Sequence, residues 1–248
     1  MLAFRKAIEV EADLIEIDVT LSQDGRVVVF HDDTVDRTTS GSGAIRSLSW
    51  AQIGTLDAGS WFSREYQGER VPSLEEVLDL VEGRAGLNIE IKPEVVTQDD
   101  VRGIEALCVE AVRKRRLSRN VIFSSFSPVA IGRIKRLAPE MATALLTESP
   151  HRGMPIRSAV ELGASALHAD FKRLNRKIVE KAHEAGLPVY AFTLNHTDDF
   201  EKALEWGIDG IFTDYPEMLQ HFLERRATRR EPFLFPDPIR LAAIEPAT

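Results

Sequence analysis

The sequence predicts an α/β protein of the TIM-type (β/α)8 barrel class, with a small inserted subdomain and without the strand that should precede its first helix. Three observations lead there. A helical run closing at Gly and passing within a few residues into a short apolar strand recurs along the chain, which is the alternation of a parallel sheet. The strands end in polar residues, as expected where functional groups gather at the C-terminal face of a barrel. The length, 248 residues, suits one barrel. Alternation alone also fits a doubly wound open sheet; the polar strand ends tip the choice to a barrel.

The repeating unit is clearest at Glu161-Leu162-Gly163 before Ala166-Leu167-His168-Ala169-Asp170, at Glu184-Ala185-Gly186 before Val189-Tyr190-Ala191-Phe192-Thr193, and at Glu205-Trp206-Gly207 before Gly210-Ile211-Phe212-Thr213-Asp214. Glycine supplies the left-handed conformation that ends a helix. Carried along the chain, this grammar predicts parallel strands at 14–20, 87–92, 121–126, 143–147, 166–170, 189–194 and 210–213. Helices are expected at 3–11, 74–81, 101–116, 128–137, 156–162, 176–185, 199–206 and 217–226. Eight helices thus accompany seven strands, and the helix at 3–11 has none before it. A long excursion from Ser22 to Pro72 separates the first two strands, opening on Val27-Val28-Val29-Phe30-His31 and rich in Gly, Ser and Thr. It is expected to hold the inserted subdomain, about residues 33–72, over one mouth of a barrel spanning 1–226. Residues 227–248, with several prolines and no helical period, are expected to be a tail.

A formal charge of -8 argues against a nucleic-acid or anionic-membrane binder, since both need clustered cations. No run approaches the roughly 18 apolar residues of a membrane span, and the start is not an export signal, so a cytoplasmic protein is expected. The single cysteine, Cys108, is expected to be a buried structural thiol.

Chemistry is concentrated on two strands. Glu16 and Asp18 are two apart, so they share one face while Ile15, Ile17 and Val19 take the other. In Asn88-Ile89-Glu90-Ile91-Lys92 the same alternation turns Glu90 and Lys92 to one side. One acidic pair alone is most simply a solvated strand end. Two inward-facing pairs on neighbouring strands point instead to a site, and an all-oxygen set of Glu16, Asp18 and Glu90 suits a hard divalent cation, Mg²⁺ or Ca²⁺. His31 closes an apolar run ahead of Asp32-Asp33-Thr34, where a histidine can act as a general acid; a turn histidine bonded to a nearby Asp is the plainer alternative. His168 could line the mouth and His196 sits in the next loop, whereas His151, His183 and His221 look solvated; none of these is taken as a site residue. Arg113 to Arg116 ends a helix, where cations complement the macrodipole, so a solvated terminus is expected there and not an anion site.

These segments resemble the glycerophosphodiester phosphodiesterase family. The resemblance is carried by Asp13 to Val19, by Val28-Val29-Phe30-His31-Asp32-Asp33-Thr34-Val35-Asp36-Arg37-Thr38-Thr39, by Pro72-Ser73-Leu74-Glu75-Glu76, by Asn88 to Lys92, by Ser124-Ser125-Phe126 and by Gly207 to Asp214. It implies a (β/α)8 barrel that hydrolyses a small-molecule glycerophosphodiester to an alcohol and glycerol 3-phosphate with a divalent metal and two histidines. By motif, Glu16, Asp18 and Glu90 resemble the metal ligands, His31 one catalytic histidine and Lys92 a phosphate contact. Phe192 stands where a Trp is common, keeping an aromatic wall without an indole N–H. Related barrels that cleave phospholipids through cyclic phosphates, and a non-catalytic binder of metal and phosphate, are the alternatives. The family's His-Arg-Gly and Glu-Asn-Thr motifs would precede Met1. The resemblance therefore carries the expectation that this chain lacks the first strand with one histidine, one arginine and one glutamate, and is nearly inactive as it stands.

Overall fold

The structure, a computed structural model, describes residues 1–97, 102–150 and 154–227. His151 and the segment from 228 onward, which holds nearly all of the expected tail, lie outside the described residues. The chain divides into two compact units, Met1–Val121 and Ile122–Thr248.

The first unit opens with α1 (Leu2–Glu9), which runs into β1 (Leu14–Leu21). On β1 the alternation holds: Ile15, Ile17 and Val19 are buried, while Glu16 is exposed and Asp18 half-buried. Fully burying an aliphatic side chain contributes roughly 1.5–3 kcal/mol, so the apolar face fixes which way the carboxylates turn. One edge of β1 pairs in parallel with β3 (Gly86–Ile91), with Glu16 opposite Asn88 and Asp18 opposite Glu90. At its other edge, residues 19–21 pair antiparallel with the short β2 (Val27–Val29), an apolar run whose pairing the sequence pattern does not reveal.

The excursion after β2 has a small core of its own, built from Val28, Val35, Ile45, Ile53 and Val71. It includes the one-turn helix α2 (Trp50–Ile53), absent from the sequence reading because four residues are too few to show a period. Its Ser49–Gln52 capping box closes the end. The same device begins α3 (Leu74–Val81): the Ser73 hydroxyl accepts from the Glu76 N–H at 3.3 Å, and the Glu76 carboxylate accepts from the Ser73 N–H at 2.8 Å. Ser73 is buried, so Ser73→Ala leaves an N–H of the first turn without its acceptor. It should cost about 1–2 kcal/mol in denaturant unfolding; an unchanged midpoint would show that the cap contributes nothing. After β3 the chain enters α4 (Ile104–Lys114), where Cys108 is buried and free, as expected, with its thiol pushed up by burial. Beyond its end Arg115 pairs with Asp79 at 2.5 Å, so this cation is not merely solvated.

In the second unit β4 (Val121–Ser125), β5 (Ala142–Thr147), β6 (Ala166–Asp170), β7 (Val189–Phe192) and β8 (Gly210–Ile211) run in parallel in that order. They alternate with α5 (Pro128–Leu137), α6 (Met154–Glu161), α7 (Arg176–Glu184) and α8 (Thr197–Trp206), and α9 (Pro216–Ala227) follows. All seven predicted parallel strands are therefore present. Gly163, Gly186 and Gly207 have φ between 64° and 75°, the left-handed helix ends that the sequence called for. One face of these strands, through Leu145, Leu167, Ala169, Val189 and Ala191, packs with Ile131, Val179, Phe200 and Ala203 of the helices.

Candidate active site

Every residue of the predicted site lies in the first unit. Because Asp18 stands directly opposite Glu90 and Glu16 is one step along the same face, ligand oxygens of Glu16, Asp18 and Glu90 lie within 4.8 Å of one another. Lys92 is the nearby cation, its ammonium 3.5 Å from Asp18 Oδ1. One ammonium does not neutralise three carboxylates. Burial, then the charges of Asp18 and Glu90, push the Glu16 carboxyl up to about 8; burial, then the charge of Asp18, pushes Glu90 up to about 7. Asp18 is also raised by burial, against the pull of Lys92. Glu16 is enclosed yet still open to water, which tempers the burial effect there and leaves the neighbouring carboxylates as the firmer cause. Like charges crowded at this distance call for a positive centre, and an all-oxygen donor set fits a hard divalent cation.

The Lys92 ammonium also donates to the backbone carbonyl of His31, which ties the chain leaving β2 to the acidic cluster. The His31 side chain is 69% exposed, and its Nδ1 lies 2.7 Å from Asp32 Oδ1. Asp32 is gripped by Arg37 through Nε to Oδ2 at 2.6 Å and Nη2 to Oδ1 at 2.8 Å, and the Arg37 hydrogen bond holds its carboxyl well below the usual carboxylate range. An ionised Asp32 accepts a hydrogen bond from Nδ1–H, which leaves Nε2 of that neutral tautomer unprotonated. His31 is thus the Asp-bonded turn histidine, and that bond leaves its other ring nitrogen open to the proton-transfer reading. Arg37 was not singled out as a site residue; its signal was its spacing from His31 within the Asp-Asp-x-x-Asp-Arg block.

The other described histidines belong to the second unit. In the second unit His168 is fully buried, stacked on Tyr190 with ring centres 5.1 Å apart, and burial pushes its imidazole down to about 3. It is a packing residue and not a mouth residue. His183 is not simply solvated: its Nε2 lies 2.7 Å from Asp209, whose carboxylate also accepts from the Val189 N–H. Phe192 packs edge-on to Phe126, with ring centres 6.1 Å apart.

A model of the glycerophosphoryl diester phosphodiesterase family matches residues 1–218. The chain belongs to that family. A glycerophosphodiester phosphodiesterase of Caldanaerobacter subterraneus subsp. tengcongensis is 36% identical over 226 residues, covering 90% of each chain. One from Bacillus subtilis is 33% identical over 235 residues, covering 88% of this chain and 79% of the relative. A phosphodiesterase of Oleispira antarctica, solved in complex with the product sn-glycerol-3-phosphate, matches with a TM-score of 0.80 at 32% identity, covering 89% of each chain. The fold class is accordingly α/β of TIM-barrel type, and by family the protein is a phosphoric diester hydrolase. Among the described residues no helix is long and apolar enough to cross a membrane.

Proposed function

We propose that this glycerophosphodiester phosphodiesterase hydrolyses small soluble glycerophosphodiesters to an alcohol and glycerol 3-phosphate, with a divalent cation held by Glu16, Asp18 and Glu90. The observation that carries the reading is the juxtaposition of that acidic cluster with Lys92 and, through Lys92, with His31. A bound Mg²⁺ or Ca²⁺ would supply positive charge against the phosphoryl oxygens. Lys92 binds the same phosphate from the protein side, its ammonium already beside Asp18. His31 moves a proton at Nε2, since Asp32 occupies Nδ1. The relatives named glycerophosphodiester phosphodiesterase, and the neighbour holding glycerol 3-phosphate, favour this substrate class.

Incubation with glycerophosphocholine and glycerophosphoethanolamine should release glycerol 3-phosphate in a reaction stopped by EDTA and restored by Mg²⁺ or Ca²⁺. A cyclic phosphate product would favour the phospholipase-type reading instead. Saturable binding of glycerol 3-phosphate with no turnover would favour a non-catalytic binder.

A further inference from the structure

We propose that Arg37 is a positioning residue for His31 and that the inserted subdomain serves as its brace. The inference rests on the reading of His31 as the proton-transfer group. An imidazole that is 69% exposed is not held by packing, and exposed side chains change rotamer in picoseconds to nanoseconds. Among the described residues its side chain is tethered by Asp32, the next residue in the chain, whose own carboxylate would swing if held at a single point. Arg37 supplies two points. Its Nε and Nη2 take the two oxygens of Asp32 separately, and Oδ1 is shared between Arg37 Nη2 and His31 Nδ1. The carboxylate plane, and with it the direction in which Nδ1 is bound, is then set by the guanidinium fork.

Arg37 is itself fixed by the loop that carries it. Thr34 bridges Ala44, the Val35 N–H donates to Gly43 O at 3.0 Å, and the Ile45 N–H donates to Asp33 O at 3.0 Å. Val35 is buried in the insertion's core, and Asp36 accepts from the Gly43 N–H at 2.9 Å. On its outer side the guanidinium lies 6.0 Å from the Trp61 ring, within cation–π range. Trp61 is held in turn by its indole N–H on Ala58 O at 3.0 Å. Beside it, Asp57 gathers the N–H groups of Gly59, Ser60 and Gly68 and the Ser60 hydroxyl, all within 3.0 Å. Tyr66 crosses so close to Gly59 that a Cβ there would meet its carbonyl oxygen at 1.8 Å. The loop therefore holds Trp61 half in solvent, 50% exposed, where it can cover the guanidinium.

An exposed ion pair adds little to stability, so the brace should register in turnover and not in melting. Arg37→Ala should lower kcat about 10-fold to 100-fold, the scale of a misplaced catalytic group, with KM and the affinity for glycerol 3-phosphate unchanged. Arg37→Lys should not restore the rate, because an ammonium cannot form the fork. In a His31→Ala background, Arg37→Ala should cost nothing further. Multiplying losses, or weakened glycerol 3-phosphate binding, would show that Arg37 touches substrate and overturn the proposal. A readout independent of activity is the ¹⁵N spectrum of the His31 ring. The wild type should show the Nδ1–H tautomer, and Arg37→Ala, or Arg37→Gln should the alanine variant fold poorly, should show averaged tautomers. An unchanged ring spectrum would sink the brace even if the protein proved to hydrolyse something else, whereas absent turnover with the tautomer shift intact would sink only the reading of the reaction.

Discussion

Glu90→Gln is expected to weaken Mg²⁺ or Ca²⁺ binding at least on the order of 100-fold, since even the partners of metal ligands commonly contribute 10–100-fold. Glu90 faces Asp18 across the parallel ladder, and the two share one cation-sized space with Glu16. In the metal-free protein burial and mutual repulsion push Glu90 up to about 7 and Glu16 up to about 8. The cation binds the ionised carboxylates, so binding displaces protons, and affinity should fall as pH drops through that range. The sign for stability follows. A carboxyl whose native pKa is raised binds more protons in the native than in the unfolded state between its ordinary value near 4.5 and the raised one. The metal-free protein therefore loses stability as pH rises from about 4.5 to about 8. A divalent cation offsets that loss, so its stabilising effect should be large at pH 8 and small at pH 5.5. Glu90→Gln removes one of the repelling charges and should melt higher than the wild type at pH 8 without metal. Titration calorimetry in two buffers of different ionisation enthalpy counts the protons. Unchanged affinity in the variant, or a metal effect independent of pH, would remove Glu90 from the site.

The parts of this site that sequence exposed are those governed by periodicity. Glu16 and Asp18 could be placed on one face because Ile15, Ile17 and Val19 must be buried, and a two-residue period leaves no third choice. The register that sets Asp18 against Glu90 was not legible: about 70 residues separate them, and alternation specifies a face without specifying a partner. The same limit hid the antiparallel pairing of β2 with β1, since its three valines show no alternation that would mark one face as solvated. His168, a mouth candidate that the sequence did not support further, is a packing residue, because a polar residue near a strand end says nothing of the Tyr190 and Phe212 rings that close over it. Arg37 was present in the motif, but its bond to Asp32 depends on a turn held by Gly43, Ala44 and Ile45, and a spacing of five residues does not encode that closure. What remained hidden was tertiary pairing, between strands or across a loop, which no local period carries.

His31→Ala should lower kcat by about 10²–10⁴-fold, the ordinary contribution of one acid–base group, while metal affinity changes by less than about twofold. The separation follows from where its atoms lie. The contact that joins this residue to the acidic cluster runs from the Lys92 ammonium to the His31 backbone carbonyl, and alanine keeps that carbonyl. Lys92 therefore stays beside Asp18, and the three ligand carboxylates keep their neighbours. The imidazole is mostly in solvent, so its loss opens no cavity, and a surface truncation of this kind usually changes stability by no more than ~0.5 kcal/mol. Only the proton-transfer group and the partner of Asp32 disappear, and Asp32 remains satisfied by two hydrogen bonds from Arg37. A role in binding alone would raise KM and leave kcat in place; a role in proton transfer lowers kcat and kcat/KM together. Steady-state release of glycerol 3-phosphate at saturating metal, with melting curves and metal titrations on the same samples, separates the two. A variant with near wild-type kcat would remove His31 from the chemistry, and one that also lost metal would place it in the cation site.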